Sequence, residues 1–232
     1  MRDEGPRLLY LDQNYASRIA KFRLGLPHNE AFGAFFAVLL DKARAGRVIA
    51  PPSPFHVLEL HGGYLLPAFK QLFAEVGGGF WVRPWQAVVR LQAKRGGIDQ
   101  ADLLTPEGGW DRPADLDPLW DLLDLELAGP FYARAAAAAA FIAGRLGVPE
   151  GLPFVRLLAR LLAFRSLETR RQERLADLVD LVMAATVVPY VDALGTDRYL
   201  REALARVGAN KPVFSGRNPS VLDFARWLRM NA

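Results

Sequence analysis

The apolar run Leu8-Leu9-Tyr10-Leu11 ends on Asp12, and Gln13-Asn14-Tyr15 leads at once into the helix-like stretch Ala16-Ser17-Arg18-Ile19-Ala20-Lys21. A strand that carries a carboxylate to its C-terminal tip and turns straight into a helix is the opening unit of an open parallel sheet. Such sheets form their ligand sites beyond the carboxyl ends of the strands.

A helix is expected over about 29–45, where Phe32, Phe35, Phe36, Leu39 and Leu40 recur at helical spacing as core residues. Gly46 stops it, Arg47-Val48-Ile49-Ala50 forms a second short strand, and Pro51-Pro52-Ser53-Pro54 is a turn with Ser53 as N-cap and Pro54 at the first helical position. The helix launched there carries Glu59. After the break at Gly77-Gly78-Gly79, Phe80-Trp81-Val82 is a third strand, giving the order βαβαβ. From about 85 to 165 the chain is first acidic and turn-rich and then strongly helical, with the alanine run Ala135 to Ala140 packed closely on a neighbour. That segment is expected to be a helical insertion. Helix 168–188, strand 190–194, helix 199–207, strand 212–214 and helix 220–228 close the chain, an alternation that predicts a doubly wound α/β sheet with right-handed crossovers.

No stretch reads as a linker, so the 232 residues are expected to form one domain, 1–232, carrying the insertion at about 85–165. No apolar run approaches the roughly 18 residues needed to span a bilayer, and Met1 to Pro6 lacks the apolar stretch of a signal peptide, which points to a soluble, cytoplasmic protein without a membrane partner. Cysteine is absent, which removes disulfides, thiolate nucleophiles and zinc–thiolate sites. Carboxylate, histidine or hydroxyl chemistry remains. The net charge of +4 comes mostly from Arg, whose planar fork suits phosphate, although an arginine excess also follows from GC-rich coding and charge alone settles no partner.

In a doubly wound sheet the strand tips and adjacent helix starts converge on one edge, so Asp12, Glu59 and Asp197 can meet although far apart in sequence, with Asp180 joining them from its helix. Three or four carboxylates so placed repel one another strongly enough to need cations, and hard Mg²⁺ or Mn²⁺ is the natural partner for oxygen ligands. Two such ions could activate a water and neutralise the leaving oxygen of a phosphodiester.

Several segments resemble the PIN domain of metal-dependent ribonucleases, a family that includes the toxins of bacterial toxin–antitoxin pairs. They are Leu9-Tyr10-Leu11-Asp12-Gln13-Asn14, Pro52 to Leu60 around Glu59, Asp180 to Thr186 with its small-residue stretch, Ala193-Leu194-Gly195-Thr196-Asp197, and Pro212-Val213-Phe214 with Asn218-Pro219-Ser220. The middle third, Trp85 to Arg165, has no counterpart in the family. Gln13 stands where members often have Thr or Ser, and Asp197 follows Thr196 directly where many members leave one residue between. The resemblance implies a PIN-like three-layer α/β/α fold with a central, mainly parallel sheet. It further implies an endoribonuclease in which Asp12, Glu59, Asp180 and Asp197 bind Mg²⁺ or Mn²⁺ and cleave RNA, with DNA as the other candidate substrate. An antitoxin or other protein partner and a homodimer are compatible with it.

Each acid also has a plainer reading. Asp12 could simply cap a helix, Glu59 could face solvent on an amphipathic helix, and Asp177 and Asp180 could serve a neighbour such as Arg174. Asp177 and Asp192 are held as reserve ligands, the latter better suited to capping or turn duty at the start of its strand. His56, Glu59 and His61 suggest a transition-metal site, but histidines five apart diverge on a helix. Asn14 and Thr196, and less strongly Ser17, could hydrogen-bond ligands or bound water. Arg170, Arg171 and Arg174, in the basic stretch that starts at Arg156, could grip a phosphate backbone, or else form a solvated helix face. Two rival functions stay open: a non-catalytic PIN-like module binding RNA or protein, and a phosphatase-type hydrolase. The latter is disfavoured because no Gly-rich phosphate loop follows the first strand.

Overall fold

The computed structural model describes residues 5–60, 63–168 and 175–232. The chain runs β1 (Arg7–Leu11), α1 (Gln13–Arg23), α2 (Ala31–Arg44), β2 (Val48–Ile49), α3 (Pro54–Leu60), α4 (Leu66–Val76), β3 (Trp81–Val82), α5 (Trp85–Arg95), α6 (Gln100–Leu103) and β4 (Leu104–Thr105). It continues through a 3-10 turn (Asp117–Leu122), α7 (Phe131–Leu146), α8 (Pro153–Ser166), α9 (Leu175–Val187), β5 (Ala193–Thr196), α10 (Arg198–Arg206), β6 (Val213–Ser215) and α11 (Ser220–Asn231). The central sheet has the order β2-β1-β5-β6 and is parallel throughout. No described helix is long and apolar enough to cross a membrane.

Helices cover both faces of the sheet, and β1 shows why. Its alternate residues point to opposite sides. Leu9 and Leu11 join a core built with α1, α2, α4 and α11 around Tyr15, Phe32, Phe35, Phe69 and Phe224. Leu8 and Tyr10 join the other core, with Trp85 and Val88 of α5, Leu158 of α8, Val182 of α9 and Leu200 of α10. A strand apolar on both faces is what a sheet sandwiched between helical layers requires.

The segment 85–165 thus covers one face of the sheet. Trp85 stacks on Phe154 with ring centroids 5.6 Å apart and planes 11° from parallel. The buried Gln92 amide donates to the Tyr190 hydroxyl at 2.6 Å and accepts from the Phe154 backbone N–H at 3.2 Å, which ties α5 and α8 to the approach to β5. α7 packs along α8 and buries Ala138, Ile142 and Ala143, the close helix contact expected of the alanine run.

Two expectations need correction. Trp81–Val82 is a strand, but it pairs antiparallel with Leu104–Thr105 and lies outside the central sheet. The left-handed backbone of Gly78 and Gly79 redirects the chain, and Val82 N–H donates to Pro52 O, on the turn after β2. The order βαβαβ holds along the first third, but its third strand does not join the sheet of the first two. The strand expected over 190–194 is also displaced. Val191 N–H still donates to Val187 O at the end of α9, so pairing as β5 covers only 193–196 and Asp197 stands immediately beyond its tip.

Gly195 is the point of closest approach between β5 and α1. A Cβ there would stand 3.0 Å from the Tyr15 ring, which Phe32, Phe35 and Phe224 hold edge-on from three sides. Gly195→Ala is expected to cost about 1–3 kcal/mol through overpacking, read as a lower urea midpoint at unchanged slope. An unchanged midpoint would mean that the ring yields.

Candidate functional site

Chain connections leave β1 toward β2 on one side, while β5 flanks it on the other. The strand order therefore reverses between β1 and β5, and a crevice opens at their carboxyl ends. Asp12 stands at the tip of β1 and Asp197 at the tip of β5. Both are helix N-caps: Asp12 Oδ1 accepts from Tyr15 N–H at 2.8 Å, and Asp197 Oδ1 from Leu200 N–H at 2.7 Å. The capping reading of Asp12 is therefore correct, but it accounts for one oxygen only. Oδ2 accepts from Thr196 Oγ1 at 2.5 Å and from Asp197 N–H at 3.1 Å.

Asp12 is 4% exposed. Burial drives its carboxyl up to about 7 against the three hydrogen bonds, which favour the ionised form, and the charge of Asp197 adds to the rise.

Glu59 reaches the same region by a different route. The His56 ring is fully buried and accepts Ser53 N–H at Nδ1, so its proton sits on Nε2 and is donated to Leu11 O at 2.7 Å. Burial holds this imidazole down to about 4, hence neutral. Ser53 Oγ lies 2.6 Å from the Tyr10 hydroxyl and 3.0 Å from His56 Nδ1. This chain of polar groups fastens the start of α3 to the last residues of β1. Glu59, one helical turn beyond His56, is thereby held beside Asp12. Its side chain opens onto solvent within a cleft; the protein around it and the charge of Asp12 raise its carboxyl to about 8, a shift that this solvent access tempers.

Asp180, half-buried on α9, completes the group. Its carboxyl is held well above the usual range, first by burial, then by the charges of Glu59, Asp12, Asp197 and Asp177. Asp12 and Asp180 are thus within electrostatic reach of each other, of Glu59 and of Asp197. Oxygen donors carrying this much unneutralised charge suit a hard divalent cation, which would relieve the repulsion. As the side chains stand, no three His, Asp or Glu groups among the described residues converge closely enough to ligate one ion. Asp12, Glu59 and Asp180 are the residues that could hold one, with Asp197 beside them.

The remaining candidates sort clearly. Thr196 touches Asp12 directly, and Asn14 lines a cleft of about 430 Å³ on the α10 side together with Arg18, Asp197, Arg198 and Arg217. Ser17 Oγ donates to Asn14 O within its own helix. Asp177 is buried one turn before Asp180. Asp192 is corrected as a reserve ligand: its Oδ2 accepts Leu8 N–H and Gln100 Nε2, and Arg7 pairs with Oδ1, so it pins the opposite end of β1. A transition-metal role for His56 is likewise overturned, because both ring nitrogens are engaged within the protein. His61, Arg170, Arg171 and Arg174 lie outside the described residues.

Sequence reasoning missed the Tyr10–Ser53–His56 connection and the arginines of the α10-side cleft. Ser53 and His56, three apart around a helix start, carried a signal for the first. Arg18, Arg198 and Arg217 carried none, being brought together by the sheet order alone.

No protein-family model matches the chain, and no curated protein or solved structure matches it either.

Raised carboxyl pKa values make the native state hold protons that the unfolded chain releases. The stabilising contribution of protonated Asp12 is therefore complete below its ordinary value near 4 and is lost as pH rises through about 7. Without divalent ions the melting temperature of Asp12→Asn should exceed that of the wild type by more at pH 8 than at pH 5. Mn²⁺ at pH 8 should raise the melting temperature of the wild type and not that of the variant. Parallel responses of the two proteins to Mn²⁺ would place its binding elsewhere.

Proposed function

We propose that this chain is a PIN-like, divalent-metal-dependent endoribonuclease, with its site at the carboxyl ends of β1 and β5. The observation that carries the reading is the grouping of Asp12, Glu59 and Asp180, from three separate elements, so close that the charge of Asp12 raises the pKa of Glu59 and both raise that of Asp180 beside the strand switch point. When bound, a divalent cation supplies Lewis-acid polarisation of a phosphoryl oxygen and a lowered pKa for a coordinated water.

The chain's own residues supply the rest. Thr196 Oγ1–H and the amides of Tyr15 and Asp197 aim the Asp12 carboxylate and favour its ionised form. Glu59 and Asp180 add the negative charge that holds the cation. Arg18 and Arg217 line the adjoining cleft, where a phosphate backbone would find positive charge. His56 is not placed to act as base, since its one lone pair, at Nδ1, already accepts Ser53 N–H while Nε2–H donates to Leu11 O.

A non-catalytic RNA-binding module is the second reading. It is favoured by one observation, that the acids are not drawn into a ligating triad.

The test is cleavage of end-labelled single-stranded RNA and DNA with Mg²⁺ or Mn²⁺. Asp12→Asn and Asp180→Asn, both folded, should each lose more than about 100-fold in rate, since even residues that merely orient ligands are worth about 10–100-fold. Thr196→Val should fall in that smaller range. Equal cutting by all variants would defeat the assignment, and RNA binding without cutting by the wild type would favour the second reading.

A further inference from the structure

A cleft of about 370 Å³ opens on the α3 side of Asp12, away from the arginines, and differs from their cleft in character. Its floor is apolar, made by Leu58, Leu116 and Val179. Its wall is Trp120, 39% exposed, and its rim carries the carboxyls of Glu59, Asp115 and Asp117.

The cleft is preformed. Trp120 Nε1–H donates to Asp117 Oδ1 at 2.8 Å, which fixes the indole plane within the 3-10 turn. The irregular segment leading to that turn is fastened at both sides: Ala114 N–H donates to Pro54 O at the start of α3, and Asp115 O accepts from Trp85 Nε1 at 2.7 Å. The wall therefore keeps its position relative to Glu59.

We infer that this cleft is a nucleobase subsite, taking one unpaired base of a single-stranded RNA by stacking on Trp120, an inference that rests on the nuclease reading of the neighbouring acids. An accessible, orientationally fixed indole over an apolar floor suits the π-face of a base. The rim carboxylates repel phosphate but accept hydrogen bonds from exocyclic amines and ring N–H groups. Phosphates are favoured on the other side of Asp12, where Arg18 and Arg217 line the α10-side cleft. The division of charge runs the strand in one direction, with a base in the acidic, apolar cleft and the backbone leaving over the arginines. A duplex cannot present a base in this way, so the substrate is single-stranded at that nucleotide.

The experiment is fluorescence anisotropy of the full chain in Ca²⁺ with a labelled RNA of roughly 12 nucleotides, within the range of single-strand sites, intact or with one abasic residue moved along it. Wild type should lose about 5- to 150-fold in affinity at one abasic position. Trp120→Ala should show a similar loss on intact RNA and no further loss at that position, while Trp120→Phe should stay near wild type. Because the abasic scan alters only the RNA, it reads the subsite without depending on how any variant folds. Wild type that cuts RNA but is indifferent to every abasic position would overturn this inference alone and leave the cleft to a protein partner. Wild type that neither binds nor cuts RNA would overturn the nuclease reading and this inference together.

Discussion

The buried carboxylate of Asp12 is the junction on which the molecule's arrangement depends. One oxygen starts α1 and the other joins β1 to the end of β5, so a single side chain fixes the first helix and the strand switch point at once. A buried ion is tolerated only where its charge is met by donors. Here three donors meet it, and burial still lifts the carboxyl to about 7. The fold thus maintains a charge it has not fully neutralised. Asparagine would cap the helix nearly as well, so the excess charge is not explained by capping. It is what a site for cations or reacting groups would retain.

Around that junction the fold spends polar groups to set positions rather than to add charge. The Tyr10–Ser53–His56 connection lies in the layer between β1 and α3, where an apolar contact would allow the helix to slide. Neutral imidazole serves this purpose because it donates at one end and accepts at the other. Its direction is fixed by Ser53 N–H, which can only donate. Glu59 then inherits its place from His56 one turn earlier.

Much of this was legible in the chain. The alternation of Leu8, Leu9, Tyr10 and Leu11 between the two cores, the Ser53–Pro54 helix start and the placement of Asp12 and Asp197 at strand tips all follow from local pattern, because strand period, capping and turn chemistry act over a few residues. What escaped depended on long-range pairing. Trp81–Val82 has the composition of a strand, but which partner it finds was decided by the bend at Gly78 and Gly79. The end of β1 at which Asp192 stands, by contrast, was readable from its place at the start of its strand, and the register Leu9 to Ala193 agrees. The arginines of the α10-side cleft, Arg18, Arg198 and Arg217, come from three separate stretches and share no spacing that could have announced them.

A group of acids in a partly desolvated crevice lowers its energy by taking up protons, and the raised values of Asp12 and Glu59 express this. A divalent cation would compete with the proton for the same oxygens. Near neutral pH, protons and divalent ions would therefore contend for one site, and affinity for metal would rise with pH as Asp12 and Glu59 ionise. The raised pKa values of Asp12 and Glu59 and a pH-dependent affinity for the ion would then be two expressions of one set of crowded carboxyls.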